Sequence, residues 1–167
     1  MDYEVRHIRP DEWPLLEDFL YEAIYVPEGF EGEVPRSVIT CDPKCRAAYE
    51  DFGTLPDDRA VVAVVDGSVV GACWVRTTDE YGHIDENTPS FSIAIRKPYR
   101  GCGIGTAMMR SMLDELRGAG YARASLSVQK ANPALHLYER LGFRIMGDGF
   151  DDTEWLMVAE VAQLNQA

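Results

Sequence analysis

The chain has 167 residues, of which 46% are apolar and 26% are charged, and these are ordinary values for a soluble globular protein. A chain of this length folds most economically as one domain, which we expect to cover residues 1–167. The 28 acidic and 16 basic residues leave a formal net charge of −12, which disfavours nucleic acid as a partner and favours a cationic ligand such as an amine.

Hydrophobic periodicity predicts a strand, two helices and a hairpin in the first half of the chain. They are a strand over residues 4–9, a helix from Pro10 to Ile24, a loop over residues 26–39 with at most a short helix at its end, a helix from Pro43 that ends at Gly53, and hairpin strands over residues 60–65 and 69–75. Asp42 is typical of an N-cap before a proline at the first helical position, and Asp66-Gly67 is typical of a tight hairpin turn.

The second half of the chain is predicted to alternate strands and helices after a polar loop. The loop covers residues 77–89, the strands cover residues 91–95, 124–128, 144–146 and 154–160, one helix begins after Gly103 and ends at Gly118 and Gly120, and another lies between Asn132 and Gly142. The element order β-α-α-β-β-β-α-β-α-β-β predicts an α/β fold with a mixed sheet, and not a doubly wound parallel sheet.

Three glycines within five residues mark the turn between the strand at residues 91–95 and the next helix. The segment Arg100-Gly101-Cys102-Gly103-Ile104-Gly105-Thr106 brings unpaired backbone N–H groups and the positive end of a helix dipole to one place, which suits a phosphate. A P-loop would need Lys followed by Ser or Thr after its last glycine, and a dinucleotide fingerprint would need glycine at Thr106, so neither motif fits. From this spacing alone, a tight turn without a ligand remains the alternative.

A second motif follows the glycine turn. The first motif is Arg-x-x-Gly-x-Gly at Arg100, Gly103 and Gly105, and the second consists of Asn132, Tyr138 and the Leu-Gly-Phe of residues 141–143. Together they resemble the GCN5-related N-acetyltransferase (GNAT) family. The resemblance implies a GNAT-like α/β fold, with a mixed, mostly antiparallel central sheet and helices on both faces. It also implies acetyl-coenzyme A (acetyl-CoA) as the donor substrate.

The resemblance further implies roles for individual residues. The amides of the glycine turn would hold the pyrophosphate, the exposed edge of residues 93–95 would pair with the pantetheine amides, and Asn132 would contact the pantetheine arm. Tyr138 would protonate the leaving thiolate as the general acid, whereas spacing alone favours a core aromatic at this position. The implied donor-binding residues are Ile93, Ala94, Ile95, Arg100, Gly101, Cys102, Gly103, Ile104, Gly105, Thr106, Asn132 and Tyr138. The spacing from Asn132 to Tyr138 is one residue shorter than the commonest family spacing.

The sequence has no carboxylate that could act as the general base at the positions where many relatives place a glutamate. Those positions are Ser90, Ser92, Ser125 and Ser127. His83, Asp85 and Glu86 precede the donor-binding strand and are the next candidates, of which Glu86 or His83 acting through water is preferred, with solvated loop residues as the alternative. The candidates to line an acceptor site are Tyr21, Tyr25, Phe30, Trp74, Arg76, Tyr81 and His83.

The sequence predicts neither a membrane segment nor a metal site. No apolar run approaches the roughly 20 residues that span a bilayer, and residues 1–4 lack the pattern of a signal peptide, so we expect a cytoplasmic protein. Four cysteines do not form a disulfide framework in a chain of this length. Cys41 and Cys45 have no second pair and no histidine cluster nearby, so zinc is not expected.

These observations predict an acetyl-CoA-dependent N-acetyltransferase that moves the acetyl group directly to a primary amine of a small molecule or protein. The alternative is a catalytically weak acyl-CoA-binding sensor or regulatory module, which the missing strand carboxylate favours. Exposed strand edges in the final hairpin would allow a homodimer.

Overall fold

The computed structural model describes residues 1–163, and residues 164–167 of the predicted domain lie outside the described part. The strands are β1 Glu4–His7, β2 Arg59–Val65, β3 Ser68–Arg76, β4 Ser90–Ile95, β5 Arg123–Gln129, β6 Arg144–Asp148 and β7 Glu154–Glu160. The helices are α1 Leu15–Ala23, α2 Ser37–Thr40, α3 Pro43–Ala47, α4 Ile104–Gly118 and α5 Leu135–Arg140, with short 3-10 turns at Pro10–Glu12, Lys97–Tyr99 and Val161–Gln163. None of the helices within residues 1–163 is long and apolar enough to cross a membrane.

The seven strands form one mixed sheet in the order β1-β2-β3-β4-β5-β7-β6. Neighbouring strands are antiparallel except β4 and β5, which are parallel and share the single residue pair Ser90 and Ser125. Beyond that pair the two central strands have no further ladder, so a gap opens in the middle of the sheet. The predicted mixed and mostly antiparallel sheet is confirmed.

Helices cover both faces of the sheet, because alternate residues of the central strands point in opposite directions. On one face, Ala72 and Trp74 of β3 are buried with Leu16 and Phe19 of α1. On the other face, Cys73 and Val75 belong to the larger core that contains the methionines of α4 and the aromatic residues around α5. Two cores therefore meet at the sheet, and the gap between β4 and β5 connects the two faces.

The predicted hairpin is confirmed as β2 and β3, and the predicted turn at Asp66 and Gly67 joins them. Asp66 has a φ of 48° and Gly67 has a φ of 79°, so both central residues adopt the left-handed region that a type I′ turn requires. This geometry places β2 and β3 in antiparallel register from Arg59 opposite Val75 to Val65 opposite Ser68. The hairpin provides the rigid half of the sheet against which β4 packs.

Two predicted helices are shorter than their sequence patterns indicated. The helix predicted from Pro10 is a 3-10 turn, and α1 begins only after Pro14, whose ring nitrogen cannot donate the hydrogen bond that a continuous helix needs. The helix predicted from Pro43 to Gly53 ends at Ala47. The carbonyl oxygen of Ala47 accepts hydrogen bonds from the Arg76 guanidinium and the Thr78 hydroxyl instead of from a further helical turn.

Candidate active site

The glycine turn has an open concave side lined by backbone N–H groups. Gly101 and Gly103 have φ values of 75° and 84°, and a Cβ atom built on either would meet no atom within 4 Å. The first helical hydrogen bond runs from the Ala107 N–H to the Gly103 carbonyl, so the amides of residues 101–106 precede the helical ladder. No residue within 1–163 accepts a hydrogen bond from these six amides. The arrangement is that of an anion-binding helix N-terminus.

Side chains of the same segment attach the turn to β4. The Arg100 Nε donates a hydrogen bond of 2.8 Å to the Ile95 carbonyl, and its guanidinium lies 3.4 Å from the Glu22 carboxylate. A Cβ atom at Gly105 would lie 3.2 Å from the Ile95 side chain, so glycine lets α4 approach β4 closely. Ile104 is fully buried in the core, whereas the Cys102 thiol is exposed. The ligand-facing groups of this turn are therefore backbone amides.

The backbone of β4 presents a free edge to the gap beside β5. The Arg96 N–H donates to Val70 on the β3 side, whereas the Pro89 carbonyl accepts from Ser125 on the β5 side. Since backbone groups of successive residues alternate in direction along a strand, odd-numbered residues of β4 face the gap.

Among the three predicted residues of this edge, Ile93 and Ile95 therefore direct their backbone groups to the gap, and Ala94 directs its groups to β3. The Ile95 carbonyl already accepts from Arg100. The N–H and carbonyl of Ile93 have no strand opposite them. Ile93 is thus the position where an extended ligand can add to the edge of the sheet.

A cavity of about 420 Å³ lies at the gap between β4 and β5. Its lining includes Ser92 and Ile93 of β4 and residues 126–129 of β5, together with Tyr138 of α5. The cavity extends past the end of α1 to α3, to the loop at residues 80–82 and to the loop before β7. It thus joins groups from both faces of the sheet, as expected for a site where two substrates meet.

Tyr138 reaches this cavity from the face that carries α4 and α5. The side chain is 9% exposed and packs edge-on against Phe143 with ring centroids 6.3 Å apart. Its hydroxyl makes no hydrogen bond with any other residue in the described part of the chain. Burial raises the pKa of Tyr138 above its ordinary value, and the nearby Cys73 thiol acts in the same direction. The phenol therefore stays protonated and can donate.

Asn132 also lines the cavity, and it forms the cap of the turn that leads into the helix that carries Tyr138, two residues before the helix N-cap Ala134. Its Oδ1 accepts a hydrogen bond of 3.0 Å from the Ala134 N–H, and its carbonyl accepts from the Leu135 N–H. This cap uses the side-chain oxygen and leaves the amide NH2 group for a ligand. Asn132 thus fixes the start of α5, and with it the direction of the Tyr138 side chain.

Glu80 brings a buried carboxyl group to the opposite wall of the cavity, and the sequence pattern did not single it out. The residue is 6% exposed, and its Oε2 has no hydrogen-bond partner among the described residues. Burial raises the pKa of Glu80 to about 8, and the neighbouring Ser90 hydroxyl and Arg76 guanidinium oppose this rise only in part. A carboxyl group with this pKa can take a proton near neutral pH.

Gly82 holds the Glu80 loop against the opening of the gap. The Gly82 carbonyl accepts a hydrogen bond of 2.7 Å from the Ser125 hydroxyl. A Cβ atom at Gly82 would lie 3.0 Å from the Ser127 backbone nitrogen, so only glycine fits here without displacement. The loop therefore supplies a carboxylate beside Ser90 and Ser125, two of the strand positions at which serine stands.

The two preferred candidate bases from the sequence lie outside the cavity lining. Glu86 is exposed, and His83 is half-buried with an Nδ1 atom that has no partner among residues 1–163. The only sequence signal for Glu80 was its place in the polar loop at residues 77–89. A pattern of exposed-looking residues does not reveal which carboxylate the fold will bury.

Only some of the residues predicted to line the acceptor site lie in the lining of the cavity. Tyr25 and Tyr81 line the cavity. Trp74 is fully buried and donates to the Ala48 carbonyl, and Arg76 is buried in an ion pair with Asp58 at 2.9 Å. The remaining candidates, Tyr21, Phe30 and His83, are not among the lining residues.

Comparison with known proteins agrees with this geometry. The model of the Acetyltransferase (GNAT) family matches residues 17–143. A streptothricin acetyltransferase of Streptomyces lavendulae is 29% identical over 166 residues, which cover 87% of this chain and 83% of that protein. A ribosomal protein bS18-alanine N-acetyltransferase of Haemophilus influenzae is 30% identical over 97 residues, which cover 55% of this chain and only 62% of that relative's length.

Solved structures share the fold over nearly the whole chain. A GNAT N-acetyltransferase from Kribbella flavida has a TM-score of 0.66 at 21% identity, and covers 95% of this chain and 97% of its own. The PaiA N-acetyltransferase of Thermoplasma acidophilum, solved in complex with coenzyme A, has a TM-score of 0.66 at 17% identity, with coverage of 96% and 99%. Because the family model spans most of the chain and the sheet has the same architecture, this protein belongs to the GNAT family of acetyltransferases.

Proposed function

We propose that this protein transfers an acetyl group from acetyl-CoA directly to a primary amine of a small molecule. The observation that carries the proposal is the cavity at the gap between β4 and β5, which Tyr138 reaches from one face of the sheet and Glu80 from the other. A proton donor for a leaving thiolate and a proton acceptor for an incoming amine thus line the same space.

In this proposal the donor lies along the free edge of β4 and ends at the glycine turn. The amides of residues 101–106 hold the pyrophosphate, since they are directed outward at the N-terminus of the 15-residue helix α4. Pantetheine pairs with the sheet edge through the Ile93 carbonyl and meets the amide NH2 group of Asn132. Arg100 maintains the turn through its bonds to Ile95 and Glu22.

The acceptor enters from the side of α3 and the Glu80 loop. Glu80 takes a proton from the ammonium form of the acceptor, and the neutral amine forms a bond to the thioester carbonyl carbon. The Ile93 N–H, which faces the gap, is placed to donate to the oxyanion that develops on the carbonyl oxygen.

Collapse of this tetrahedral species breaks the carbon–sulfur bond. The leaving thiolate takes the Tyr138 proton, and the remaining excess proton of the new amide nitrogen restores the phenol. Acetylated amine, free thiol and a protonated Glu80 remain, and Glu80 returns its proton to solvent. No covalent enzyme intermediate is needed.

The test combines donor binding with turnover. We expect acetyl-CoA and coenzyme A to raise the thermal midpoint and NAD to leave it unchanged, and we expect free thiol to appear when an amine panel is added. Stabilisation without thiol release on any amine would support a binding module instead of an enzyme. Absence of stabilisation by either coenzyme form would refute the donor site.

A second arm separates Glu80 from the bases that the sequence favoured. Glu80→Gln is expected to lower kcat/KM by about 10²-fold, as is usual for loss of a general base. An equal loss in Glu86→Gln or in His83→Asn, with little change in Glu80→Gln, would return the role to those residues.

A further inference from the structure

The acceptor half of the cavity carries an excess of carboxylates. Asp42, Glu80, Asp151 and Glu154 line it, and Lys44 is the one cationic side chain among the described lining residues. The Lys44 ammonium already lies 3.0 Å from the Asp79 carboxylate, so its charge is partly matched outside the cavity. Burial raises the pKa of Glu80 and of Glu154, so a cation that binds beside these carboxyl groups would favour their ionised form and be attracted to it.

Glu154 is held in a fixed position at the start of β7. It is 8% exposed, and its Oε1 accepts a hydrogen bond of 3.0 Å from the Phe150 N–H. A Cβ atom at Gly149 would lie 2.8 Å from the same oxygen, so the turn before β7 closes tightly over the carboxylate. No residue of the described chain donates to its Oε2, which remains for a ligand.

Glu80 provides an independent indication that a ligand completes this wall. Its carboxyl group is more than nine-tenths buried and lies beside the Ser90 hydroxyl, yet neither the Glu80 Oε2 nor the Ser90 Oγ has a hydrogen-bond partner within residues 1–163. An unpaired buried polar atom is costly, and such atoms concentrate at sites that bind another molecule. A donor group on the acceptor would satisfy it.

The carboxylates of the cavity face a common region beside Cys45. Burial raises the pKa of the Cys45 thiol to about 12, and Asp42, Glu154 and Glu80 all act on it in the same direction. Asp42 accepts from the Cys45 thiol at 3.7 Å and also from the Tyr81 hydroxyl. With its charge engaged in this way, Asp42 leaves Glu80, Glu154 and Asp151 for an entering cation. Asp151 accepts from the Thr153 N–H and hydroxyl through its Oδ1.

Aromatic rings border the same region. Tyr81 and Phe150 both line the cavity, and their rings are in edge-to-face contact with centroids 5.4 Å apart. Phe150 is 64% exposed, and the Lys44 ammonium lies 5.5 Å from its ring centroid, so this ring already contacts one cation. An aromatic face beside a carboxylate suits an ammonium group that is partly removed from water.

Building on the proposed function, we infer that the acceptor is a small amine with a second positive charge. Its reacting nitrogen lies at Glu80, and its second ammonium group is bound by Glu154 and Asp151 beside Phe150. The cavity of about 420 Å³ also receives the reactive end of the donor in the proposed function, so the part left for the acceptor suits a small amine. Diamines and polyamines have this chemistry.

The test uses three straight-chain acceptors of matched length, n-pentylamine, 5-amino-1-pentanol and 1,5-diaminopentane, with diamines of three to six carbons to locate the best spacing. We expect kcat/KM for the best diamine to exceed that of its matched monoamine by roughly 10- to 100-fold, the usual effect of a hydrogen bond to a charged group. Equal use of diamine and monoamine, or use of basic peptides alone, would overturn the inference.

Variants assign the second charge to its site. Glu154→Gln is expected to lower kcat/KM for the diamine by about tenfold while the monoamine keeps its value, and Asp151→Asn is expected to act in the same direction. Asp152→Asn is the matched control, because Asp152 is exposed next to Asp151 and does not line the cavity. A Glu154→Gln variant that loses activity on both acceptors equally would show a structural role for Glu154 and refute the assignment of the second charge to it.

A binding arm makes failure of this inference distinct from failure of the proposed function. Calorimetry of 1,5-diaminopentane against the protein loaded with coenzyme A needs no turnover. Tight diamine binding that weakens in Glu154→Gln, without thiol release from acetyl-CoA, would support the cation site and refute the transferase proposal. Thiol release with no preference for the diamine in rate or binding would refute the cation site alone.

Discussion

Replacement of Glu80 by glutamine should remove a pH-dependent loss of stability. The Glu80 carboxyl group is buried, and its pKa is raised from 4.5 to about 8. A carboxyl group that binds its proton more tightly in the folded state than in the unfolded state stabilises the fold while it is protonated. That stabilisation is fully present below pH 4.5 and is lost as the pH rises to about 8.

The size of the effect follows from the displacement of the pKa. Between three and four pKa units correspond to on the order of 4–5 kcal/mol, at about 1.36 kcal/mol for each unit. The free energy of unfolding of the wild-type protein should therefore decrease relative to that of Glu80→Gln between pH 5 and pH 9. Glutamine is a neutral isostere of the protonated carboxyl group, so the two proteins should be similar at pH 5.

Urea denaturation at pH 5, 7 and 9 measures this difference. Every other titrating group is common to both proteins, so the change of the difference with pH reports Glu80 alone. Glu86→Gln is the matched control, because Glu86 is an exposed residue of the same loop. We expect its stability to follow that of the wild-type protein at all three pH values.

The activity should depend on the same ionisation of Glu80, but kcat/KM should rise with pH where the free energy of unfolding decreases. The base must be ionised to accept a proton, so kcat/KM should rise with pH and level off above about pH 8. The difference in unfolding free energy between wild type and Glu80→Gln should change from pH 5 to pH 9. A constant difference would refute the raised pKa of the buried Glu80 carboxyl group. A rate that is already maximal at pH 6 would refute Glu80 as the base.

Three further substitutions test other parts of the site. Gly103→Val should abolish binding of acetyl-CoA in calorimetry, whereas Gly67→Val, which imposes a similar left-handed strain in the β2–β3 hairpin turn, should retain it; retained affinity in Gly103→Val would contradict the anion site. Tyr138→Phe should lower kcat by about 10²-fold with unchanged donor affinity, and an unaltered kcat would exclude proton donation by its hydroxyl. Gly82→Ala should lower the free energy of unfolding by about 1–3 kcal/mol in urea titrations, because its Cβ would crowd the Ser127 nitrogen. Gly118→Ala, a change in open space near the end of α4, should be neutral or stabilising by comparison, and equal losses in the two would contradict the close fit at Gly82.

Most of the fold was predictable, because it depends on local chemistry. Asp66-Gly67 specified the hairpin turn, and the glycines before Ile104 specified a turn that opens into a helix. The errors were at helix ends, where tertiary contacts decide. Arg76, far along the chain, takes the carbonyl of Ala47 and ends α3 early.

The candidate site likewise has one part that the sequence predicted, the proposed donor half, and one part that it did not, the proposed acceptor half. The sequence alone predicted the residues of the proposed donor half, since backbone amides at a glycine turn and a strand edge require particular residues in consecutive positions. Only the tertiary structure decided the acceptor half, since Asp42, Glu80 and Glu154 come from three separate segments and meet across the gap between β4 and β5. Burial, which no local pattern encodes, distinguishes Glu80 from the exposed Glu86 and raises its pKa into the range of a base.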